Sequence, residues 1–110
     1  MTQFEPIHCE HDGTKLLGLV ARPAIGQAPF PTVMVMHSAN GLRHQVRGKI
    51  EALAALGYLA IATDMYGPEV QNGAPEAAHE AYSYFLDDNM VNVRTRSLAW
   101  FEAIRAHPEV

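Results

Sequence analysis

The chain has 110 residues, enough for one domain that buries roughly two-thirds of its unfolded surface. Its 48% hydrophobic and 18% charged residues are typical of a globular protein and exclude intrinsic disorder. The formal net charge of −4 provides no basic footprint for nucleic acid or an anionic membrane surface, so we predict partners of neither kind.

Cysteine usage bears on the compartment. Cys9 is the only cysteine, which excludes an internal disulfide and indicates a reducing environment. The sequence shows no basic-apolar-small leader and no apolar run near the ~20 residues that a membrane span needs. We therefore predict a cytoplasmic protein.

The first third of the chain is predicted to form mainly strands. Residues 7–23 (IHCEHDGTKLLGLVARP) predict a hairpin that turns at 11–13, because Asp-Gly is a strong turn signal. Residues 24–31 are predicted to form a loop, because Gly26, Pro29 and Pro31 interrupt them. Residues 32–37 (TVMVMH) lack polar alternation, which predicts a strand buried on both faces, as in parallel sheets.

From about Arg43 the hydrophobic period becomes helical. Four apolar residues follow the i, i+4, i+7, i+8 spacing and Gly57 supplies a stop: Val46, Ile50, Leu53 and Ala54. Gly48 inside this helix costs about 1 kcal/mol relative to alanine. Residues 58–63 (YLAIAT) predict a second buried strand, and the strand, helix and strand form a βαβ unit with parallel strands.

The last third is predicted to be mainly helical. Residues 68–75 (PEVQNGAP) are predicted as a loop, and a helix then starts near Pro75, with apolar residues at helical spacing: Ala78, Ala81, Tyr82 and Phe85. Residues 87–89 end it. A final helix runs to His107-Pro108 and carries one stripe, with the Trp100–Phe101 pair as core: Val93, Ser97, Trp100 and Ile104. The fold class is α/β.

The loop HSANGL (37–42) places polar side chains at the carboxyl end of a predicted strand, where ligands bind in open α/β folds. Ser38 is a poor nucleophile, because the G-x-S-x-G elbow needs glycines where this chain has Met36 and Asn40. The neighbouring His37 would point away from Ser38 on an extended chain.

Two interpretations of this loop remain. The Ala39 backbone N–H can stabilise an oxyanion. Alternatively, the loop is a plain turn in which Asn40 and Gly41 accept positive φ and Ser38 or Asn40 caps the next helix.

Other polar residues give weaker signals. His8, Cys9 and His11 lie close in sequence, but His8 and Cys9 face opposite sides of a strand and no second ligand pair follows. We predict no metal site and no cofactor. Asp64 follows a strand, which is a catalytic position in many α/β folds.

Together these segments resemble the amino-terminal half of the dienelactone hydrolase family, α/β-hydrolase-fold enzymes that open cyclic enol esters and related esters. The resemblance runs from about residue 7 to residue 110. Its sharpest parts are the H-x-x-x-G-L loop entering a helix, the ALGY-to-DMYG block and the closing RAHPEV. It implies half of an α/β-hydrolase fold in a single partial domain (1–110), with a mostly parallel sheet, an antiparallel first hairpin and flanking helices.

The resemblance also implies roles for individual residues. Residues 37–41 match the family's oxyanion loop, with the Ala39 N–H as one of two donors. Ser38, in the same loop, stands where well-studied members carry a glutamate that holds the resting nucleophile. Those members bind a substrate carboxylate with arginine, and this chain has no arginine between Arg47 and Arg94. Four residues are expected at the rim of the substrate pocket: His37, Asn40, Gly41 and Tyr66.

The family's nucleophile is a cysteine in a G-x-C-x-G elbow, with an aspartate and a histidine later in the chain. Residues 1–110 contain no such elbow, and Cys9 lies in the first predicted strand. Asp64 does not match the family's aspartate, so the resemblance implies that it is a turn-former or cap. The expected function is therefore the amino-terminal portion of an ester or lactone hydrolase, inactive alone. Its substrate would be a small ester or lactone, once a carboxy-terminal half completes the site.

The alternatives are one half of a split hydrolase and a non-catalytic oligomerisation or binding module. In the implied sheet order the next strand lies beside residues 32–37. Without it, this apolar strand becomes an edge that recruits partners. We expect a homo-oligomer formed through that strand edge or by segment exchange.

Overall fold

The computed structural model describes residues 4–110. These residues form four strands and four helices: β1 (Phe4–His11), β2 (Thr14–Ala21), β3 (Thr32–Met36), α1 (His44–Ala55), β4 (Leu59–Thr63), α2 (Pro68–Gln71), α3 (Pro75–Asp87) and α4 (Val91–Arg105). None of these helices is long and apolar enough to cross a membrane.

The strands form one sheet in the order β1-β2-β4-β3. β1 and β2 are the predicted antiparallel hairpin, and β3 and β4 are the predicted parallel pair joined by α1. β2 also pairs antiparallel with β4, so the described sheet is mixed rather than mostly parallel. The α/β class, the hairpin and the βαβ unit are confirmed.

The hairpin turn confirms the Asp-Gly signal. Asp12 and Gly13 both adopt left-handed backbone conformations, with φ of 53° and 79°. A two-residue turn with both φ values positive matches the twist of the flanking strands, and Asp-Gly tolerates it best.

β4 lies at the centre of the sheet and is buried along its whole length. Its side chains alternate between two apolar clusters. Leu59 and Ile61 belong to the cluster that contains Trp100 of α4, whereas Ala60 and Ala62 belong to the cluster formed with α1. The two small alanines allow α1 to pack close to the sheet.

Burial of β3 on both faces was a wrong prediction. The side chains of Met34 and Met36 are 37% and 43% exposed. Within residues 4–110, β3 pairs with β4 alone, so its outer edge is open. The apolar run of β3 therefore does not report burial among the described residues.

The predicted loop at 68–75 contains a helical turn, so that prediction was wrong over α2. Gly67 has φ of 105° and accepts a hydrogen bond from the Gln71 N–H at 3.0 Å. Pro68 occupies the first helical position, where its missing N–H costs nothing.

The core prediction for α4 holds for Trp100 and fails for Phe101. Trp100 is fully buried, whereas Phe101 is 46% exposed. Adjacent helical residues point about 100° apart, so both cannot face the sheet. The helix ends at Arg105, two residues before His107.

Candidate functional site

The loop between β3 and α1 contains a tight turn that is hydrogen-bonded to the Ser38 carbonyl oxygen. This oxygen accepts the Gly41 N–H at 3.0 Å, which closes a tight turn. Gly41 has φ of 87°, and a Cβ there would collide with the Gln71 side chain. The backbone conformation therefore favours glycine at this position, and a larger residue would also displace the Gln71 side chain.

The His37 side chain joins this loop to the segment that follows β4. Its Nδ1 lies 2.8 Å from the Ser38 carbonyl oxygen. Its Nε2 lies 3.0 Å from the Met65 backbone nitrogen, which donates to it. Burial lowers the pKa of His37, and the Ser38 hydrogen bond and the Asp64 charge act in the opposite direction.

Asp64 organises the segment after β4. Its fully buried carboxylate accepts the backbone N–H groups of Tyr66 and Gly67 at 2.9 and 2.8 Å. It also accepts the Leu17 N–H of β2 at 3.0 Å and the Gln71 side-chain amide at 2.7 Å. Asp64 is thus a turn-former, as predicted, and it also ties the turn to β2 and α2.

Tyr66 holds the loop from the other side. Its hydroxyl donates to the Ala39 carbonyl oxygen at 2.8 Å. Its ring packs on Phe85 of α3, with centroids 5.6 Å apart, and lies 4.7 Å from the His37 ring. Burial raises the pKa of Tyr66, and the nearby Tyr82 acts in the same direction, so the hydroxyl keeps its proton and remains a donor.

The Ala39 N–H, like the Ser38 N–H before it, is a backbone donor of this loop. Among residues 4–110 it has no hydrogen-bond acceptor. Ala39 lies on a groove of about 400 Å³ with mainly apolar walls: Met36, His37, Ser38, Ala39, Met65, Tyr66, Tyr82, Phe85, Met90 and Val93. A backbone donor without a partner, beside an apolar groove, can bind a carbonyl oxygen that gains negative charge.

The predicted site residues divide between two neighbouring clefts. His37, Ser38, Ala39 and Tyr66 line the apolar groove. Asn40 and Gly41 line a second cleft of about 290 Å³ at the start of α1, and Ser38 borders both. The Asn40 side chain there lies 3.2 Å from His79 of α3.

A Ser–His nucleophile is not assembled at this loop. The His37 ring bonds to the carbonyl of Ser38 rather than to its hydroxyl. Ser38 Oγ instead accepts the Asn40 N–H at 3.4 Å. Cys9 lies in β1, separated from the loop by β2 and β4, and burial raises the pKa of its thiol.

Gln71 and Arg96 support the site and were not found in the sequence. Gln71 Oε1 accepts the Leu42 N–H at 2.7 Å. The Arg96 guanidinium donates to the Met65 carbonyl oxygen at 2.8 Å. Both act over long sequence distances, and the segment around Gln71 was predicted to be a loop, so no local pattern marked either residue. Within residues 4–110 no group of three or more metal-ligating side chains converges.

A sequence model of the dienelactone hydrolase family matches residues 16–110. The chain belongs to this family. No curated protein matches it significantly.

Solved structures agree with this assignment. The chain is 25% identical to the protein m3DLH, with a TM-score of 0.84. It is 26% identical to a dienelactone hydrolase-like promiscuous phosphotriesterase from metagenomic libraries, with a TM-score of 0.86. In both cases 99% of this chain is covered, but only 45% of the other.

A third similar structure is a protein of Klebsiella pneumoniae that has been provisionally assigned as a dienelactone hydrolase. Its TM-score is 0.65 and its identity 24%, over 96% of this chain and 45% of that one. This likeness supports the fold alone. The chain thus spans less than half the length of these three solved relatives.

Proposed function

We propose that residues 1–110 form the amino-terminal part of a carboxylic ester or lactone hydrolase of the dienelactone hydrolase type. In this proposal loop 37–41 is the oxyanion loop and the Ala39 N–H is one of its donors. The observation that carries it is the Ala39 N–H at the carboxyl end of β3, which has no acceptor within residues 4–110 and lies on the rim of the apolar groove. Such a donor stabilises the charge that develops on a carbonyl oxygen during acyl transfer.

The groove favours an uncharged substrate. Its walls are mainly apolar or aromatic apart from Ser38, and no arginine of residues 4–110 lines it. An ester or lactone with an apolar acyl group suits these walls better than a carboxylate-bearing dienelactone does. We therefore propose a small, neutral ester or lactone as the substrate class, and we propose no cofactor.

The nucleophile in this proposal comes from outside residues 1–110. His37 Nε2 is occupied by the Met65 N–H, so no imidazole of this loop takes the Ser38 proton. We expect residues 1–110 to be inactive alone, with the elbow cysteine supplied by a longer chain or by a second chain. The single cysteine in 110 residues supports a cytoplasmic location.

The test begins with the gene beyond the codon for Val110. The longest encoded protein and residues 1–110 are each assayed with p-nitrophenyl acetate and a simple lactone. If the reading frame ends after Val110, a separate chain that carries the G-x-C-x-G elbow of the family's carboxy-terminal half is added to residues 1–110 in the assay. We expect turnover only when an elbow cysteine is present.

Ala39→Pro tests the oxyanion role, since proline has no N–H, and Ala39→Gly is its matched control. We expect Ala39→Pro to lower kcat of the active assembly by about 10²–10³-fold, the usual cost of one oxyanion donor. Ala39→Gly retains the N–H and should stay within a few-fold of the parent. Hydrolysis by residues 1–110 alone, abolished by Ser38→Ala, would contradict the proposal.

The open edge of β3 favours a second candidate, a homo-oligomerisation or binding module. Met34 and Met36 are partly exposed beside that edge, and unpaired apolar edges recruit strands. This candidate predicts self-association of residues 1–110 without turnover in any assembly. A monodisperse monomer by light scattering at low concentration would exclude it.

A further inference from the structure

His37 is held in one protonation state by its partners. Its Nε2 faces two donors, the Met65 N–H at 3.0 Å and the Gln71 side-chain amide at 3.1 Å. The orientation of that amide is fixed, because its oxygen accepts the Leu42 N–H and its nitrogen donates to Asp64. Nε2 must therefore accept, and the ring proton lies on Nδ1, where the Ser38 carbonyl oxygen accepts it at 2.8 Å.

The Ser38 carbonyl belongs to the same peptide unit as the Ala39 N–H. In a trans peptide these two groups point in opposite directions. The carbonyl is held by two donors, the His37 Nδ1–H and the Gly41 N–H. Fixing the carbonyl therefore also fixes the direction of the Ala39 N–H.

We infer that His37 is the positioning residue of this loop: as a neutral Nδ1–H tautomer, it anchors the Ser38–Ala39 peptide to the segment after β4 and thereby aims the Ala39 N–H. This inference rests on the proposed function only for the use made of that N–H. His37 itself touches no reacting atom and is not a catalytic residue.

The inference carries a pH dependence. A proton on Nε2 would point at the Met65 N–H and the Gln71 amide, so protonation opposes both contacts. The charged or titratable groups on the elements packed near the ring come from three places: Asp64 and Tyr66 after β4, Tyr82 and His79 of α3, the latter beside Asn40, and Arg96 of α4 on the Met65 carbonyl. Burial outweighs the Asp64 charge and keeps the ring neutral.

The sign of the effect follows from linkage. An unfolded histidine takes up a proton near pH 6.5, whereas the pKa of the folded His37 lies lower. The unfolded state therefore binds more protons below about pH 6.5, and the stabilisation from His37 is lost as the pH falls from there toward the folded pKa.

The first test is a ring nitrogen–proton correlation spectrum of the ¹⁵N-labelled chain across pH, with His37→Gln to assign the His37 signals. We expect the Nδ1–H tautomer and a ring that is still mostly neutral at pH 6.5, where an ordinary histidine is half protonated. An Nε2–H tautomer, or titration at the ordinary value, would overturn the inference.

Two variants separate the two ring contacts. His37→Asn places an amide N–H near the position of Nδ1 and keeps the Ser38 bond, whereas His37→Gln places an acceptor near Nε2 and keeps only the Met65 bond. We expect the Ala39 N–H residual dipolar coupling to match the parent in His37→Asn and to change in His37→Gln. The Trp100 indole N–H, which donates to the Asp64 carbonyl at 2.7 Å, reports that each variant is folded.

The outcomes distinguish this inference from the proposed function. The same Ala39 coupling in both variants would overturn the positioning role and leave the function standing. The expected spectra, with no hydrolysis in any assembly, would reject the function and leave the positioning of Ala39 standing. Where His37→Gln does not fold, the tautomer and titration of the parent ring, assigned from His37→Asn, still decide.

Discussion

At the residue scale, Asp64 makes more hydrogen bonds than its turn alone requires. Its two carboxylate oxygens accept three backbone N–H groups and one side-chain amide, and the residue is fully buried. In Asp64→Asn one oxygen becomes an NH₂ group that faces a donor. We expect the free energy of unfolding to fall by about 1.5–3 kcal/mol, measured by urea denaturation followed by Trp100 fluorescence.

Asp12→Asn is the matched control for that change. Asp12 sits in the hairpin turn with φ of 53°, a conformation that asparagine also tolerates. The same replacement there should alter the free energy of unfolding by less than about 0.5 kcal/mol. Equal losses at the two positions would mean that the Asp64 contacts do not stabilise the fold.

At the residue scale, the local part of each role was predictable. Asp64 was predicted to be a turn-former or cap from its place after a strand and from the family resemblance, and its bonds to the Tyr66 and Gly67 N–H groups are local. Its bond to Leu17 spans 47 positions, and no local pattern encodes it. The ring contact of His37 with Met65 spans 28 positions, so the sequence suggested a pocket rim but not a positioning role.

At the element scale, two glycines test how helix and strand pack. A Cβ on Gly18 of β2 would lie 2.5 Å from the Ala62 carbonyl oxygen and 3.0 Å from the Trp100 ring. Gly48 of α1 is exposed and has no atom within 4 Å of such a Cβ. We expect Gly18→Ala to lower the free energy of unfolding by about 1–3 kcal/mol.

Gly48→Ala should instead raise the free energy of unfolding by about 0.5–1 kcal/mol, because alanine restricts the unfolded chain and favours the helix. Urea denaturation of the three proteins side by side measures both changes. Loss of stability in Gly48→Ala would show that α1 is constrained by something other than helix propensity.

Element types followed from hydrophobic period, since α1, α3 and α4 lie where the apolar stripes predicted them. The exposure of each strand could not be predicted in this way, because an apolar run of residues looks the same whether the strand lies at the centre of a sheet or at its edge. Thus β4 is buried as predicted, whereas β3 is not. The one-turn α2 was missed because its four residues are too few to show a period.

At the scale of the whole molecule, the parallel pairing of β3 and β4 was predictable from the βαβ rule. The antiparallel junction of β2 with β4 was not, since nothing in either strand marks the partner. That junction fixes the order β1-β2-β4-β3 and so places β3 at one edge, with the candidate site at its carboxyl end. The open edge and the site are therefore neighbours.

Association through the open edge of β3 can be tested by adding a single charged side chain beside it. If copies of residues 1–110 pair through β3, Met36→Lys places a charge beside the open edge and should favour the monomer, because edge lysines oppose strand pairing. Ile25→Lys, in a loop and 87% exposed, adds the same charge away from the edge and should leave the assembly unchanged. Light scattering at matched concentrations gives the mass of each. Monomers in both variants would assign the effect to net charge alone, and an unchanged oligomer in Met36→Lys would place the interface elsewhere than the β3 edge.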